Sequence, residues 1–236
     1  MKLTYLFHSG FAVESPAATV IFDYFRDTDE AFVRLHLASF PGPIYVLASH
    51  GHPDHFRKET LEWKRLRTDI RYIFSHDILQ NRQAAAAGAF FLAKGDTWSD
   101  GLLTVSAFGS TDIGVSFLVE TAGRRIFHAG DLNNWHWKEE STADEARQSE
   151  EWFLREVDDI RQAVDSLDLA MFPVDPALGP DYMRGAMQFV ERIPCRLFAP
   201  MHFGQKYAAA AAFRPFAERA GCRFTAWNAR GQQIEF

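Results

Sequence analysis

Ser49-His50-Gly51-His52-Pro53-Asp54-His55-Phe56 places three imidazoles and a carboxylate within six consecutive residues, directly after the apolar run Ile44-Tyr45-Val46-Leu47-Ala48. The run is short and bounded by turn residues, which reads as a buried strand. Side chains two apart on an extended segment share a face, so His50 and His52 can point the same way. Asp54 and His55 are then expected to open a helix running through Lys58, Leu61, Trp63 and Leu66. Neutral imidazole nitrogens with a carboxylate oxygen suit zinc, and also iron, manganese or nickel. A solvated polar loop accounts for one or two such histidines, but not for this density of ligand atoms behind a strand.

Composition narrows the class. The 236 residues fit one large domain or two small ones, and the spread of chemistry-bearing stretches favours a single domain over 1–236. A hydrophobic fraction of 47% with 22 Phe supplies an ample core. The net charge of -6 argues against a nucleic-acid partner, because phosphate binding rests on clustered Lys and Arg. The first eight residues read as a strand rather than a signal segment. No apolar stretch is long enough to span a bilayer. Cys195 and Cys222 suit a reducing compartment and are read as two buried thiols. The expectation is a cytoplasmic chain with a small-molecule substrate, no membrane partner, and homo-oligomerisation left open.

Outward from the motif, strands are expected over 3–7, 12–14 and 19–23, then 70–74, 103–108, 114–121 and 125–128, with Ala122-Gly123 as a hairpin turn. Residues 96–101 read as a turn, and Asp77 as the cap of a helix after 70–74. An acidic amphipathic helix is expected over 141–164, with Trp152, Phe153, Val157, Ile160 and Val164 at helical spacing. A strand over 169–174, a helix over 182–192 capped by Asp181, and a strand over 196–201 follow. This alternation by itself supports mixed α/β.

The hexapeptide from His50 to His55 resembles the signature of the metallo-β-lactamase superfamily, and the opening Leu3-Thr4-Tyr5-Leu6-Phe7-His8-Ser9-Gly10-Phe11 resembles its lactonase-like branch. His128-Ala129-Gly130-Asp131 and Pro200-Met201-His202-Phe203-Gly204 are similar to two further landmarks in family order. The resemblance implies a four-layer αββα sandwich and one or two divalent metals, zinc first, with manganese, iron or nickel as alternatives. It implies His50, His52, Asp54, His55, Asp131 and His202 as metal ligands, with Asp131 bridging two ions and Asp54 also catalytic. His128 is read as a supporting residue that holds a ligand by hydrogen bond. His8 near the centre, His136 in an aromatic loop, and Arg184 and Lys206 as cationic groups are candidates for substrate binding.

One landmark is missing. Hydrolytic members place a third histidine before the bridging aspartate, but this chain reads Ala107-Phe108-Gly109-Ser110-Thr111-Asp112-Ile113-Gly114 there. Asp112 can substitute as a harder ligand, or it can close a turn on its own backbone. Without a substitute the first metal keeps only His50, His52 and Asp131 and binds more weakly, which leaves open a mononuclear centre using Asp54, His55 and His202. The chemistry the resemblance implies is a metal-activated hydroxide attacking a small ester, lactone or phosphoester. The alternatives are a mononuclear iron redox enzyme of the same fold and a non-catalytic ligand-binding member.

Overall fold

The computed structural model describes residues 1–236. Two seven-stranded sheets lie face to face. The first contains β1 (Lys2–Phe7), β2 (Gly10–Glu14), β3 (Thr19–Phe22), β4 (Ile44–Ala48), β5 (Ile70–Ser75) and β6 (Phe90–Leu92). The second contains β7 (Thr97–Ser99), β8 (Leu103–Phe108), β9 (Ser116–Thr121), β10 (Arg124–His128), β11 (Leu167–Pro173), β12 (Cys195–Met201) and β13 (Arg223–Phe224). The last strand, β14 (Gln233–Glu235), returns to the first sheet beside β1.

Alternation in β4 explains the layering. Tyr45 and Leu47 enter the large core between and behind the sheets, whereas Ile44, Val46 and Ala48 enter a smaller core on the outer face of the first sheet. Sheets buried on both faces carry near-continuous apolar runs, as β4 does. The outer core is closed by α1 (Phe32–His36), a 3-10 segment at Lys58–Arg65 and α2 (His76–Gln80). The far side of the second sheet is covered by α3 (Ala143–Ala163), α4 (Arg184–Arg192), α5 (Tyr207–Ala211) and α6 (Arg214–Arg219), whose Phe153, Ile160, Phe189, Ala210 and Ala217 join the large core. This is the expected αββα order. The amphipathic helix starts at a capping box, with the Thr142 hydroxyl accepting from the Glu145 N–H while Glu145 bonds back to Thr142.

The two sheets share one plan. Strands β1 to β3 and β7 to β10 are antiparallel, while β3 to β6 and β10 to β13 run parallel. Ligands in such folds collect outside the carboxyl ends of the parallel strands. Asp23, Ser49 and His50 follow β3 and β4; Asp131, Asp175 and His202 follow β10, β11 and β12.

Five local expectations are corrected. Asp54 opens no helix: the His55 and Phe56 N–H groups both donate to the His52 carbonyl, and Arg57 is extended, so the helical segment begins only at Lys58, as a 3-10 turn. Asp77 is not a cap but reaches across to accept from the Gly51 N–H at 2.8 Å. Thr97–Ser99 is a short strand, paired antiparallel with β8, where a turn was expected. Asp181 does not cap α4, because its carboxylate pairs with Lys138 and Met183 occupies the cap position. Trp152 is 41% exposed, so the α3 stripe is narrower than its spacing suggests.

Candidate metal centre

The ligand atoms of His8, Asp54, His55 and His202 all lie within 4.8 Å of one another, and so do those of His50, His52, Asp112 and Asp131. Asp131 joins the two groups. Its Oδ2 is 3.4 Å from His50 Nε2, while its Oδ1 is 3.2 Å from His55 Nε2 and 3.4 Å from His202 Nε2. A carboxylate whose two oxygens face different imidazole sets is arranged to bridge. Asp112 lies beside the motif histidines: its Oδ2 is 3.7 Å from His52 Nδ1, and His50 Nε2 is 3.0 Å from His52 Nδ1.

Each inner imidazole is fixed from behind. His55 Nδ1 donates to Asp23 Oδ2 at 2.7 Å, and His202 Nδ1 donates to Asp175 Oδ2 at 2.9 Å. His50 Nδ1 donates to the Ser49 hydroxyl at 3.0 Å, which donates onward to Asp23 at 2.6 Å. Such bonds set the tautomer and leave the Nε2 lone pair facing inward. In consequence, His8 Nε2, His55 Nε2 and Asp131 Oδ1 are buried without any hydrogen-bond partner. Buried polar atoms are normally paired, so orphans converging on one point fit a cation. The donor set of imidazoles and carboxylates is appropriate to zinc, manganese or iron.

The backbone is bent to achieve this. His8, Asp23 and His202 have φ of 59°, 41° and 62°, a left-handed region that costs non-glycine residues energy and that clusters at functional sites. Gly114, at φ 80°, lets its loop press on the motif: a Cβ there would sit 2.1 Å from the Ser49 carbonyl oxygen.

Charge follows the geometry. Without a cation, burial opposes the positive form of His55, but Asp131 and Asp23 outweigh it and raise its pKa to about 9, so Nε2 presents its lone pair only once a bound cation displaces that proton. Burial likewise opposes the Asp23 carboxylate, yet His128 and His55 bring it to about 2. His50 is pushed down to about 4 by burial, then by His55, so it is neutral at physiological pH. Asp54 stays ionised, because His8 and His55 outweigh its partial burial. A pH profile of the chelated, metal-free chain follows. His55 contributes stability in full below about pH 6.5 and loses it as pH rises through about 9. His50 acts oppositely, since the unfolded chain takes up a proton from about pH 6.5 downward that the folded chain refuses until about 4. The expected thermal-unfolding midpoint is therefore highest near pH 6.5 and falls on both sides, and a flat profile from pH 4 to 9 contradicts this assignment.

The substrate candidates separate. His8 belongs to the cation cluster itself, 3.4 Å from Asp54 and with its ring 4.1 Å from that of His202. His136 is buried with Nε2 on the Asp181 carbonyl and Nδ1 accepting from the Lys138 N–H, which leaves no ring nitrogen for a ligand. Arg184 is spent on a two-pronged pair with Glu150 and lines a cleft of about 610 Å³ with Met183, Met187, Gln188 and Phe216, none of which belongs to either cluster. Lys206 is exposed at the start of α5 and is in neither cluster. His128 supports rather than ligates, but its grip is on backbone: Nε2 donates to the Ser9 carbonyl at 2.8 Å and Nδ1 accepts from Gly130 N–H at 3.1 Å. Asp23 and Asp175 were not anticipated as supports. Their only trace in the sequence is a carboxylate at the end of an apolar run.

The profile of the beta-lactamase superfamily domain matches residues 2–146. The chain belongs to the metallo-β-lactamase superfamily. Among metallo-β-lactamase relatives, a metal-dependent hydrolase of Carboxydothermus hydrogenoformans is 23% identical over 220 residues, covering 86% of this chain and 84% of that protein. The fold matches that of a metallo hydrolase from the archaeon Ignicoccus hospitalis with a TM-score of 0.70 at 19% identity, over 100% of this chain and 98% of that one. It also matches the diiron β-hydroxylase CmlA of Streptomyces venezuelae with a TM-score of 0.69 at 14% identity, over 100% of this chain but 54% of that one. The metallo-β-lactamase landmarks thus sit on the fold the resemblance implied. No helix is long and apolar enough to cross a membrane.

Proposed function

We propose that this chain is a hydrolase of small esters, lactones or phosphoesters that works with two divalent cations. His50, His52 and Asp112 would hold one, Asp54, His55, His202 and His8 the other, and Asp131 would serve both. The observation that carries this is the Asp112 carboxylate standing where the third histidine is missing, which makes a set of four with His50, His52 and Asp131 beside the set of His8, Asp54, His55 and His202. When bound, such cations supply a water nucleophile near neutral pH and Lewis acidity toward a carbonyl or phosphoryl oxygen.

The chain's own residues do the rest. Asp54, ionised and with a side chain 40% exposed, accepts a hydrogen bond from the attacking water and aligns it with the electrophile. Trp135 stands edge-on to His202 at 5.5 Å and stacks on Trp137 at 6.1 Å, which gives the mouth one apolar wall that keeps bulk water away and seats an uncharged part of the substrate. The Trp135 indole N–H donates to the Asp131 carbonyl at 2.7 Å, so the wall and the bridging residue move as one piece.

The test is elemental analysis of protein purified without chelator. Two metals per chain in the wild type, falling to about one in Asp112→Ala, is the expected result. One metal in both proteins overturns the dinuclear scheme. Asp112 also favours a second reading, iron-based redox chemistry, because a carboxylate makes the first site harder than a third imidazole would. Iron in the analysis with a visible absorption band would select it, whereas colourless zinc protein removes it.

A further inference from the structure

The loop after β3 and the turn after the histidine motif bring two cations to one aromatic ring. The guanidinium groups of Arg26 and Arg57 lie 5.4 and 5.7 Å from the centroid of Phe25. Arg26 also lies 5.0 Å from the centroid of Phe7, whose ring is 5.9 Å from Phe25 and 6.3 Å from the imidazole of its neighbour His8. The path from guanidinium to the His8 and Asp54 edge of the centre is thus continuous side-chain packing. Arg57 approaches the same edge along the chain, three residues beyond Asp54. Both arginines are exposed, and neither forms an ion pair or a side-chain hydrogen bond. The third arginine of the cluster differs: Arg230 sits 5.6 Å from Phe7 but is tied to Asp29 and to the Asp27 carbonyl, so its charge is answered within the protein.

A guanidinium laid flat on an aromatic face gains cation–π attraction and keeps its N–H edge free. That edge is a fork matched to two oxygens of a carboxylate or phosphate. In a chain of net charge -6, two unanswered cations beside the reactive centre attract an anion locally where the overall field would not. We propose that Arg26 and Arg57, set over Phe25, form an anion-binding end of the substrate site, so that the molecule hydrolysed carries a carboxylate or phosphate group beyond its scissile bond. The inference rests on the hydrolase reading and narrows its substrate class.

Two arms test it on the protein as purified. The first compares 4-nitrophenyl acetate with the 4-nitrophenyl half-ester of succinate, which share a leaving group and differ in a distal carboxylate. Arg26→Gln with Arg57→Gln is expected to raise KM for the charged ester about tenfold or more, to change kcat little and to leave the neutral ester unaffected. Arg26→Lys with Arg57→Lys restores only part of the loss, because an ammonium lacks the fork. The second arm titrates succinate and inorganic phosphate calorimetrically into wild type and the double glutamine variant. Weaker binding in the variant supports the clamp, and the anion that loses more names the group. Turnover of neither ester counts against hydrolysis while the titration still decides the clamp. Equal anion binding in both proteins overturns it, as does an unchanged KM for the half-ester.

Discussion

Asp131→Asn is expected to lower kcat/KM by about 10³-fold, roughly 4 kcal/mol of transition-state stabilisation, and to bring the metal content below one per chain. The substitution keeps the volume and removes the charge that faces His50 with one oxygen and His55 and His202 with the other. An amide must turn its NH2 toward one of these imidazoles, which are aimed inward as acceptors by Ser49, Asp23 and Asp175. That NH2 occupies the lone pair of the imidazole it faces and has none of its own to offer a cation, so one ligand set loses an oxygen and both lose the shared negative charge. This separates Asp131 from Asp112, whose removal touches one set alone. Elemental analysis beside steady-state kinetics checks it. A variant with two metals and activity within tenfold of wild type would show that Asp131 bridges nothing.

The second large effect is on folding as much as on chemistry. Asp23→Ala deletes a fully buried carboxylate that accepts from the Ser49 N–H at 2.7 Å, the Ser49 hydroxyl at 2.6 Å and His55 at 2.7 Å. Three donors are stranded in the interior, and removing one partner of a buried charge pair costs about 3–5 kcal/mol. Because Asp23 also orients His55 and, through Ser49, His50, metal affinity is expected to fall about 10–100-fold. Asp23→Asn keeps the shape and one acceptor oxygen, so its loss should be smaller on both counts. Denaturant unfolding gives the first number and competition with a chromophoric chelator the second. A stability change under about 1 kcal/mol for the alanine variant would mean the site relaxes around the gap.

The motif stretch was legible because its ligands are neighbours in sequence, and a strand followed by a tight turn brings them together whatever the rest of the chain does. Asp131 and His202 were placed by the family resemblance rather than by any local pattern, and the structure gathers them beside the motif. Asp23, Asp175 and the ligand position of His8 were not legible. Asp23 and Asp175 reach the centre only because β3 runs parallel beside β4, β10 beside β11 and β11 beside β12, and His8 because its carbonyl accepts from the His202 N–H at 3.2 Å; no local pattern encodes which chain segments become neighbours. Arg184 looked free because its partner Glu150 lies 34 residues away on another helix. His136 looked available to substrate because sequence does not show which ring nitrogens the backbone will claim. The helix expected from Asp54 failed on backbone grounds, since closing the turn on His52 takes up the N–H groups and leaves Arg57 extended.

The left-handed backbone at His8 and His202 sets stability against chemistry at two points of the centre. Glycine would adopt φ of 59° and 62° there without strain, so a search for stabilising substitutions at these two positions ends in the loss of an imidazole from the cluster. Asp23, at 41°, is the exception, because its carboxylate answers three buried donors that glycine would strand.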